Sequence, residues 1–261
     1  MFTAIVTEPE TGQFRNLEVS PQWLQTGLTP SLLAEFSYEI HTQLTSIQYI
    51  SDHLRKRTPE NDPQSRSLNL LAQNVDTPER LVDDLLFTSE WEASNHSLQR
   101  ETLTLDRFLW RVIHQARDFL DEAKVALSLN FAGISERTCW ADSKIMSWSL
   151  VHLIRNAALY GKSTKQIQLL VQRVKKNLEF IVADDGQGIH NEDLPHIFER
   201  FYRGKSSRSG KEGAAVRGLG QGLHFARAIA EAHGGSLEVE SQPTQGATLI
   251  LRIPFIETFD Q

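Results

Sequence analysis

From Pro30 onward, apolar residues recur at steps of three and four: Leu33, Phe36, Ile40, Leu44, Ile47 and Leu54, with Ser51 on the same line. That spacing draws one stripe along an α-helix. Thr29 and Pro30 supply the start, a hydroxyl residue able to cap and a proline whose missing N–H costs nothing in a first turn. The TPENDP stretch from Thr58 to Pro63 breaks the pattern, and Leu68, Leu71, Val75, Val82 and Leu85 begin a second stripe. An antiparallel helical hairpin is therefore predicted over residues 30–92. Pro78 disturbs its second arm, because an interior proline removes a backbone bond and clashes with the preceding turn at a cost of ~3 kcal/mol. The helix either kinks there or restarts with Thr77 and Pro78 as a fresh cap and first turn. A hairpin of this kind encloses no core by itself. It pairs with a second copy as a four-helix bundle or packs against the rest of its own chain.

Past residue 100 the period changes. IQLLVQRV and LEFIVA read as strands, while SWSLVHLIRNAALY and LHFARAIAEAH read as helices. The fold class expected is α+β: a helical dimerisation hairpin, then an α/β sandwich over about residues 100–256 with helices on one face of a mixed sheet. Residues 1–29 form a short leading segment whose fold is left open, and residues 257–261 a tail.

Three polar interruptions in the second half carry chemistry. Asn156 lies in LVHLIRNAALYG, Asp184 to Ile189 read DDGQGI, and Gly218 to Leu223 read GLGQGL. An adenine amino group needs a buried carboxylate to accept from it, and Asp184 at the end of the apolar run LEFIVA can provide one. A phosphate chain needs backbone N–H groups at close range, which residues without Cβ allow, and Gly218, Gly220 and Gly222 open a helix whose positive end faces an anion. A magnesium ion bridging phosphates prefers oxygen ligands, and the Asn156 amide offers one. Between the last two motifs, KSSRSGKEGAAVR from Lys205 to Arg217 has no hydrophobic period, and it reads as a lid or a solvated charged loop. A dinucleotide-binding turn is the rival reading of GLGQGL. Such a turn follows the first strand of a βαβ unit, whereas these glycines follow the polar loop.

Composition changes the picture in a few places. At 261 residues with 40% hydrophobic and 23% charged positions, the chain has room for two modest soluble domains. A net charge of −6 argues against non-specific nucleic-acid binding. The single Cys139 excludes an intrachain disulfide, and no apolar run approaches the length that spans a membrane. The amino terminus lacks a basic stretch followed by a long apolar core. The expectation is a cytoplasmic protein with no membrane anchor, with its input arriving through a partner or the short leading segment.

Taken in order, Asn156, Asp184-Asp185-Gly186-Gln187-Gly188-Ile189, IFERFYR from Ile197 to Arg203, and Gly218 to Leu223 resemble the ATP-binding domain of sensor histidine kinases, within the wider family of gyrase-type and Hsp90-type ATPases. AIAEAHGGSLEVES followed by QGATLILRIP resembles that family's closing helix and strands, so the likeness runs from about residue 30 to residue 254. It implies ATP and Mg2+ as cofactors, and a nucleotide site built from His152, Asn156, Tyr160, Asp184, Gly186, Gly188, Arg203, Gly218, Gly220 and Gly222, with Asn156 as the metal ligand. It also implies a homodimer through the hairpin, and a response regulator or another kinase as partner.

The resemblance fails at instructive places. Where the family carries a phosphorylated histidine in a stretch like S-H-E-L-R-T-P-L, this chain reads Ser37-Tyr38-Glu39-Ile40-His41-Thr42-Gln43-Leu44. At ~100° per residue Tyr38 projects almost opposite the apolar stripe and is expected to be exposed. A phenol of pKa ≈ 10 must lose its proton as it attacks, and Glu39, at the family's acid/base position, can take it. His41, about 60° around the helix from Tyr38, is either a surface histidine or a substitute acceptor. In the nucleotide site, His152 stands where the family often has a polar residue, commonly Asn. Leu159 replaces a Lys or Arg that faces phosphate, for which Lys162, Arg203 or Arg217 are the available substitutes. Gln43 replaces the proline that bends the family's first helix. Two hypotheses follow. One is a two-component kinase using Mg-ATP on an unusual acceptor, supported by Asn156, Asp184, Glu39 and the glycines. The other is a degenerate kinase acting as a nucleotide-binding docking protein, supported by Tyr38, Leu159, Gln43 and Pro78. A plain ATPase or a serine kinase shares the pocket but not the hairpin.

Overall fold

Helix formation begins at Pro30, where the sequence places the start, and α1 (Pro30–Arg57) runs for 28 residues. It ends where TPENDP begins, with the Thr58 hydroxyl donating to Leu54 O at 2.8 Å. Arg55, Lys56 and Arg57 occupy the last turn, next to carbonyls that carry the negative end of the helix dipole. Along its predicted stripe Ser51 is buried, whereas Ile47 and Leu54 stay exposed in the single chain. The computed structural model describes residues 2–7, 14–19, 30–59, 97–134, 137–160, 164–204 and 220–255, together with positions 62, 64, 65, 67, 68, 82, 84, 86–91 and 94. Helical backbone appears at 64, 65, 67, 68, 82, 84 and 86–91, while Leu71, Val75, Pro78 and Leu85 lie outside the described residues.

The chain divides into two units, residues 1–95 and 96–261. The first opens with an antiparallel pair, β1 (Phe2–Thr7) and β2 (Phe14–Val19), in the register Phe2 to Val19 and Thr7 to Phe14. It then continues into α1.

The second unit holds β3 (Glu101–Thr104), α2 (Leu105–Ala123), β4 (Ala126–Ala132), β5 (Thr138–Ala141), α3 (Ser143–Tyr160), β6 (Gln166–Val174), β7 (Asn177–Asp184), α4 (Gly222–Ala232), β8 (Ser236–Ser241) and β9 (Ala247–Pro254). Five strands make one mixed sheet in the order β4-β6-β7-β9-β8, and β3 pairs with β5 as a separate ribbon. Only β4 with β6 is parallel within the large sheet. The strands predicted from IQLLVQRV and LEFIVA are β6 and β7, and the two predicted helices are α3 and α4.

Alternation decides which face is covered. Ile167, Leu169 and Val171 of β6, Leu178, Phe180 and Val182 of β7, and Leu249, Leu251 and Ile253 of β9 are buried on one face. Helices α2, α3 and α4 supply the matching apolar stripe, with Leu105, Phe108, Leu109, Val112 and Ala116 from α2 alone. Each fully buried large side chain contributes roughly 1.5–3 kcal/mol. On the opposite face Arg252 Nε donates to Glu179 Oε1 at 2.7 Å, and Gln172 Nε2 donates to Glu179 Oε2 at 2.8 Å. Burial pushes the Glu179 carboxyl up, but these two donors outweigh it and hold the group below its ordinary value.

Two buried polar residues lock the helices' ends. Asp142 stands just before α3 and accepts from the N–H groups of Lys144 (3.1 Å) and Ile145 (3.3 Å), while its other oxygen accepts from Gln99 N–H (2.8 Å). Its own N–H donates to His233 Nε2 at 3.1 Å, and His233 Nδ1–H donates to Ile229 O at 2.8 Å. Both ring nitrogens are therefore committed in the neutral form, and burial holds the His233 pKa below its ordinary 6.5. A depressed histidine pKa makes the folded state reluctant to take a proton, so this contribution is intact above about pH 6.5 and is lost as pH falls below it. The unfolding midpoint should therefore drop on acidification from pH 7.5 to 5.5, and His233→Gln, whose amide can make both bonds, should show a shallower drop. Thermal melts of both proteins across that range measure the difference.

Burial also pushes the Cys139 thiol up to about 12, so it stays an unreactive core residue.

Candidate functional site

Asp184 is the last residue of β7, and the chain turns immediately after it. Its Oδ1 accepts from Gly186 N–H at 2.9 Å. The turn is made tight by Gly246, which has φ +81° and whose added Cβ would lie 1.9 Å from Asp184 O. Burial raises the Asp184 carboxyl above the usual aspartate range, against the opposing donors Gly186 N–H and Ala247 N–H. Its neighbour behaves in the opposite way. Asp185 accepts from Lys165 N–H (2.8 Å) and Gln166 N–H (3.0 Å), and those backbone donors hold it below the ordinary value. The two aspartates of DDGQGI thus have separate tasks. Asp185 pins the entrance of β6, and Asp184 is left half-buried at the strand end.

Helix α3 carries His152 and Asn156 four residues apart, hence one turn apart on the same face. The buried His152 ring lies over Trp148 with centroids 3.7 Å apart, and its Nδ1–H donates to Trp148 O at 2.9 Å. Across from it begins α4. A Cβ on Gly222 would sit 3.1 Å from His152 Cδ2, so the absence of a side chain there lets the start of α4 close onto α3. The helix opens at Gly222 with Gln221 as its N-cap, so of the three glycines predicted to open it, Gly218 and Gly220 precede it. Gly220 has φ +69°, and a Cβ on it would come within 2.5 Å of Tyr202 O.

Tyr202 belongs to IFERFYR, so this contact joins that stretch to the glycine-rich one. The tyrosine is fixed at its other end, with its hydroxyl donating to Asp193 Oδ1 at 2.7 Å. Asp193 is buried, and a Cβ on Gly204 would approach its other oxygen to 2.7 Å. His224 of α4 reaches the same stretch, with Nδ1–H donating to Phe198 O at 3.1 Å. No local signal marked Asp193 as the anchor of this loop. A carboxylate among turn residues is ordinary, and only tertiary contact reveals its partner.

The structure thus brings His152 against Gly222 and Phe201–Tyr202 against Gly220, with Asn156 one turn further along α3. Gly186 and Gly188 lie in the turn after Asp184. Tyr38 sits on α1 with 71% of its surface exposed, as the helical angle predicts. The side chains of Glu39, His41 and Tyr160, together with Lys162, Gly218 and the whole stretch 205–219, lie outside the described residues. Among the described residues no cluster of three His, Cys, Asp or Glu side chains could hold a metal by itself.

Residues 142–257 match the family described as histidine kinase-, DNA gyrase B- and HSP90-like ATPases. This region is a histidine-kinase-type ATPase domain. The ATPase domain and the residues before it align with sensor protein SrrB of Staphylococcus aureus at 28% identity over 225 residues, covering 85% of this chain and 37% of that protein. They also align with sensor protein KdpD of Clostridium acetobutylicum at 24% identity over 229 residues, covering 87% of this chain and 25% of that protein. The chain therefore spans about a quarter to just over a third of the length of these relatives. Among solved structures, full-length ShkA in complex with AMPPNP shares the fold at a TM-score of 0.66 and 23% identity, covering 88% of this chain and 47% of that one. Histidine kinase AdeS of Acinetobacter baumannii does so at 0.53 and 21%, covering 90% and 98%. Among the described residues no helix is long and apolar enough to cross a membrane.

Proposed function

We propose that the ATPase domain binds Mg-ATP between α3 and the start of α4, and that the chain is the kinase core of a two-component signalling protein whose acceptor is Tyr38. The observation that carries the nucleotide reading is the close approach at Gly220 and Gly222, where any Cβ would press on Tyr202 O or the His152 ring. This is the cradle that backbone N–H groups need to reach phosphate oxygens at a helix N-terminus. Asp184 accepts from the adenine amino group, Gly186 and Gly188 let the chain pass close to the base, and His152 and Tyr160 flank the nucleotide. Asn156 would hold the Mg2+, whose charge offsets that of the phosphates when bound. Arg203, with Lys162 and Arg217, is a candidate to substitute for the charge missing at Leu159.

In the transfer step the Tyr38 oxygen attacks the γ-phosphorus, the bond from that phosphorus to the bridging β,γ-oxygen breaks, and ADP leaves. The phenolic proton passes to Glu39. Tyr38 is exposed on α1, as an acceptor that must meet a nucleotide has to be. A second copy of the chain pairs through the hairpin, and a response regulator or another kinase docks on it.

Incubation with γ-labelled ATP tests the reading. The expected result is slow incorporation of acid-stable label that disappears in Tyr38→Phe and persists in His41→Ala. Acid-labile label lost in His41→Ala moves the acceptor to histidine. ATP binding without any label leaves a nucleotide-binding docking protein, the reading that Leu159 and Gln43 favour.

A further inference from the structure

A groove lies in the second unit, along the ribbon of β3 and β5. Leu105 N–H donates to Arg137 O at 2.7 Å, one residue past the pairing of Thr104 with Thr138, and this bond fixes the phase of the ladder. In an antiparallel pair, hydrogen-bonded and non-bonded positions alternate. Leu103 and Glu101 therefore bond to β5, and the backbone groups of Thr102 and the N–H of Thr104 point to the other edge. No strand covers that edge among the described residues.

A groove of about 480 Å³ runs along this edge, walled by β3 on one side and by Arg107, Trp110 and Arg111 of α2 on the other. Arg107 and Arg111 are exposed and form no ion pair or hydrogen bond among the described residues. Trp110 has 65% of its surface exposed and, among the described residues, stacks on the His114 ring alone, with centroids 5.3 Å apart. The apolar wall is Leu103, which is buried. An unpaired strand edge, two guanidiniums without an acid partner among the described residues and one exposed indole stand along a single furrow on a chain whose net charge is −6, and the one acid on its lining, Glu101, accepts from the Ser143 hydroxyl.

We propose that this groove docks an extended acidic peptide segment of a partner protein, added to β3 as a third strand. The backbone edge supplies the hydrogen bonds, and Arg107 and Arg111 pair with carboxylates on alternate residues. The Trp110 face covers an intervening apolar side chain. The two arginines lie four residues apart, a rise of ~6.0 Å that is close to the ~6.6–6.8 Å repeat of alternate residues in a strand. Charge complementarity selects the occupant, because a basic or neutral strand would leave both guanidiniums unpaired.

The test uses the full chain and a blocked eight-residue peptide alternating Glu and Val, followed by amide and indole NMR shifts. Expected are shifts at Thr102, Thr104 and the Trp110 indole N–H. Two control peptides should bind at least about tenfold more weakly: one alternating Lys and Val, and a Glu–Val peptide N-methylated on the bonding edge. The Arg107→Glu/Arg111→Glu protein should lose the Glu–Val peptide by a similar factor while binding ATP as before. Equal binding of the Lys–Val or the N-methylated peptide overturns the proposal, as does a response elsewhere on the surface. If inorganic phosphate or single-stranded RNA shifts these resonances and the Glu–Val peptide does not, the site belongs to a different ligand. The peptide arms decide the matter on the unaltered protein even where the double variant does not fold.

Discussion

Asp184→Asn is expected to weaken ATP binding by at least about tenfold and at the same time raise the unfolding midpoint at neutral pH. The binding loss follows from exchanging a charged acceptor for an amide, since a hydrogen bond to an ionised group contributes roughly 1.5–3 kcal/mol. The gain in stability comes from the same carboxylate. Burial lifts its pKa above the unfolded value, so the folded state binds that proton more readily than the unfolded chain does. A raised carboxyl pKa means that its relative stabilisation is complete below the unfolded pKa and is lost as pH rises through the folded one. Once ionised, the half-buried carboxylate costs stability, and asparagine removes that cost while keeping an oxygen for Gly186 N–H. The same shift predicts that ATP affinity of the natural protein falls at a higher pH than an ordinary aspartate would dictate. Calorimetric titration with ATP and thermal melts, run on both proteins, measure the two effects. A variant that loses affinity and stability together would show that Asp184 serves the fold and not the adenine.

Gly246→Ala is expected to destabilise the ATPase domain by about 2–5 kcal/mol. At φ +81° an L-residue costs roughly 1–2 kcal/mol, and overpacking adds about 1–3 more. The added methyl has nowhere to go, because it would stand 1.9 Å from Asp184 O and 3.3 Å from Asp185 Cα, both backbone atoms. For a domain of this size a loss of about 3 kcal/mol lowers the melting midpoint by ~6–12 °C. The neighbouring turn must shift, so ATP binding should fall as well even where the variant remains folded. Gly234→Ala serves as the comparison. It has a similar φ of +84°, but its nearest atom is a proline side chain at 3.5 Å, so it should show the conformational cost without the clash.

Much of the architecture was readable in the residues because it follows local periodicity. The 3–4 spacing from Leu33 to Leu54 gave α1, and Pro30 and the TPENDP break set its ends within a residue. The apolar runs of β6 and β7 and the helix in which Asn156 lies were equally plain. The spacing of Asn156, DDGQGI, IFERFYR and GLGQGL was enough to call a histidine-kinase-type ATPase domain, since such boxes are defined by order and residue type.

Order along the chain does not specify partners across it. The sequence by itself determined α1, α3, α4, β6 and β7, and that residue 38 is a tyrosine facing solvent, while β1, β2, β3, β5 and α2 were not read from it. Tertiary structure alone decided that β4 joins β6 in parallel, that Asp142 and His233 clasp the ends of α3 and α4, and that Asp193 holds Tyr202. It also decided which backbone donors face each carboxylate of DDGQGI, and so that burial wins at Asp184 while the Lys165 and Gln166 N–H groups win at Asp185. The reason is physical. Periodicity and turn chemistry act over a few residues, whereas desolvation, cross-strand register and the space left by a missing Cβ depend on atoms tens of positions away.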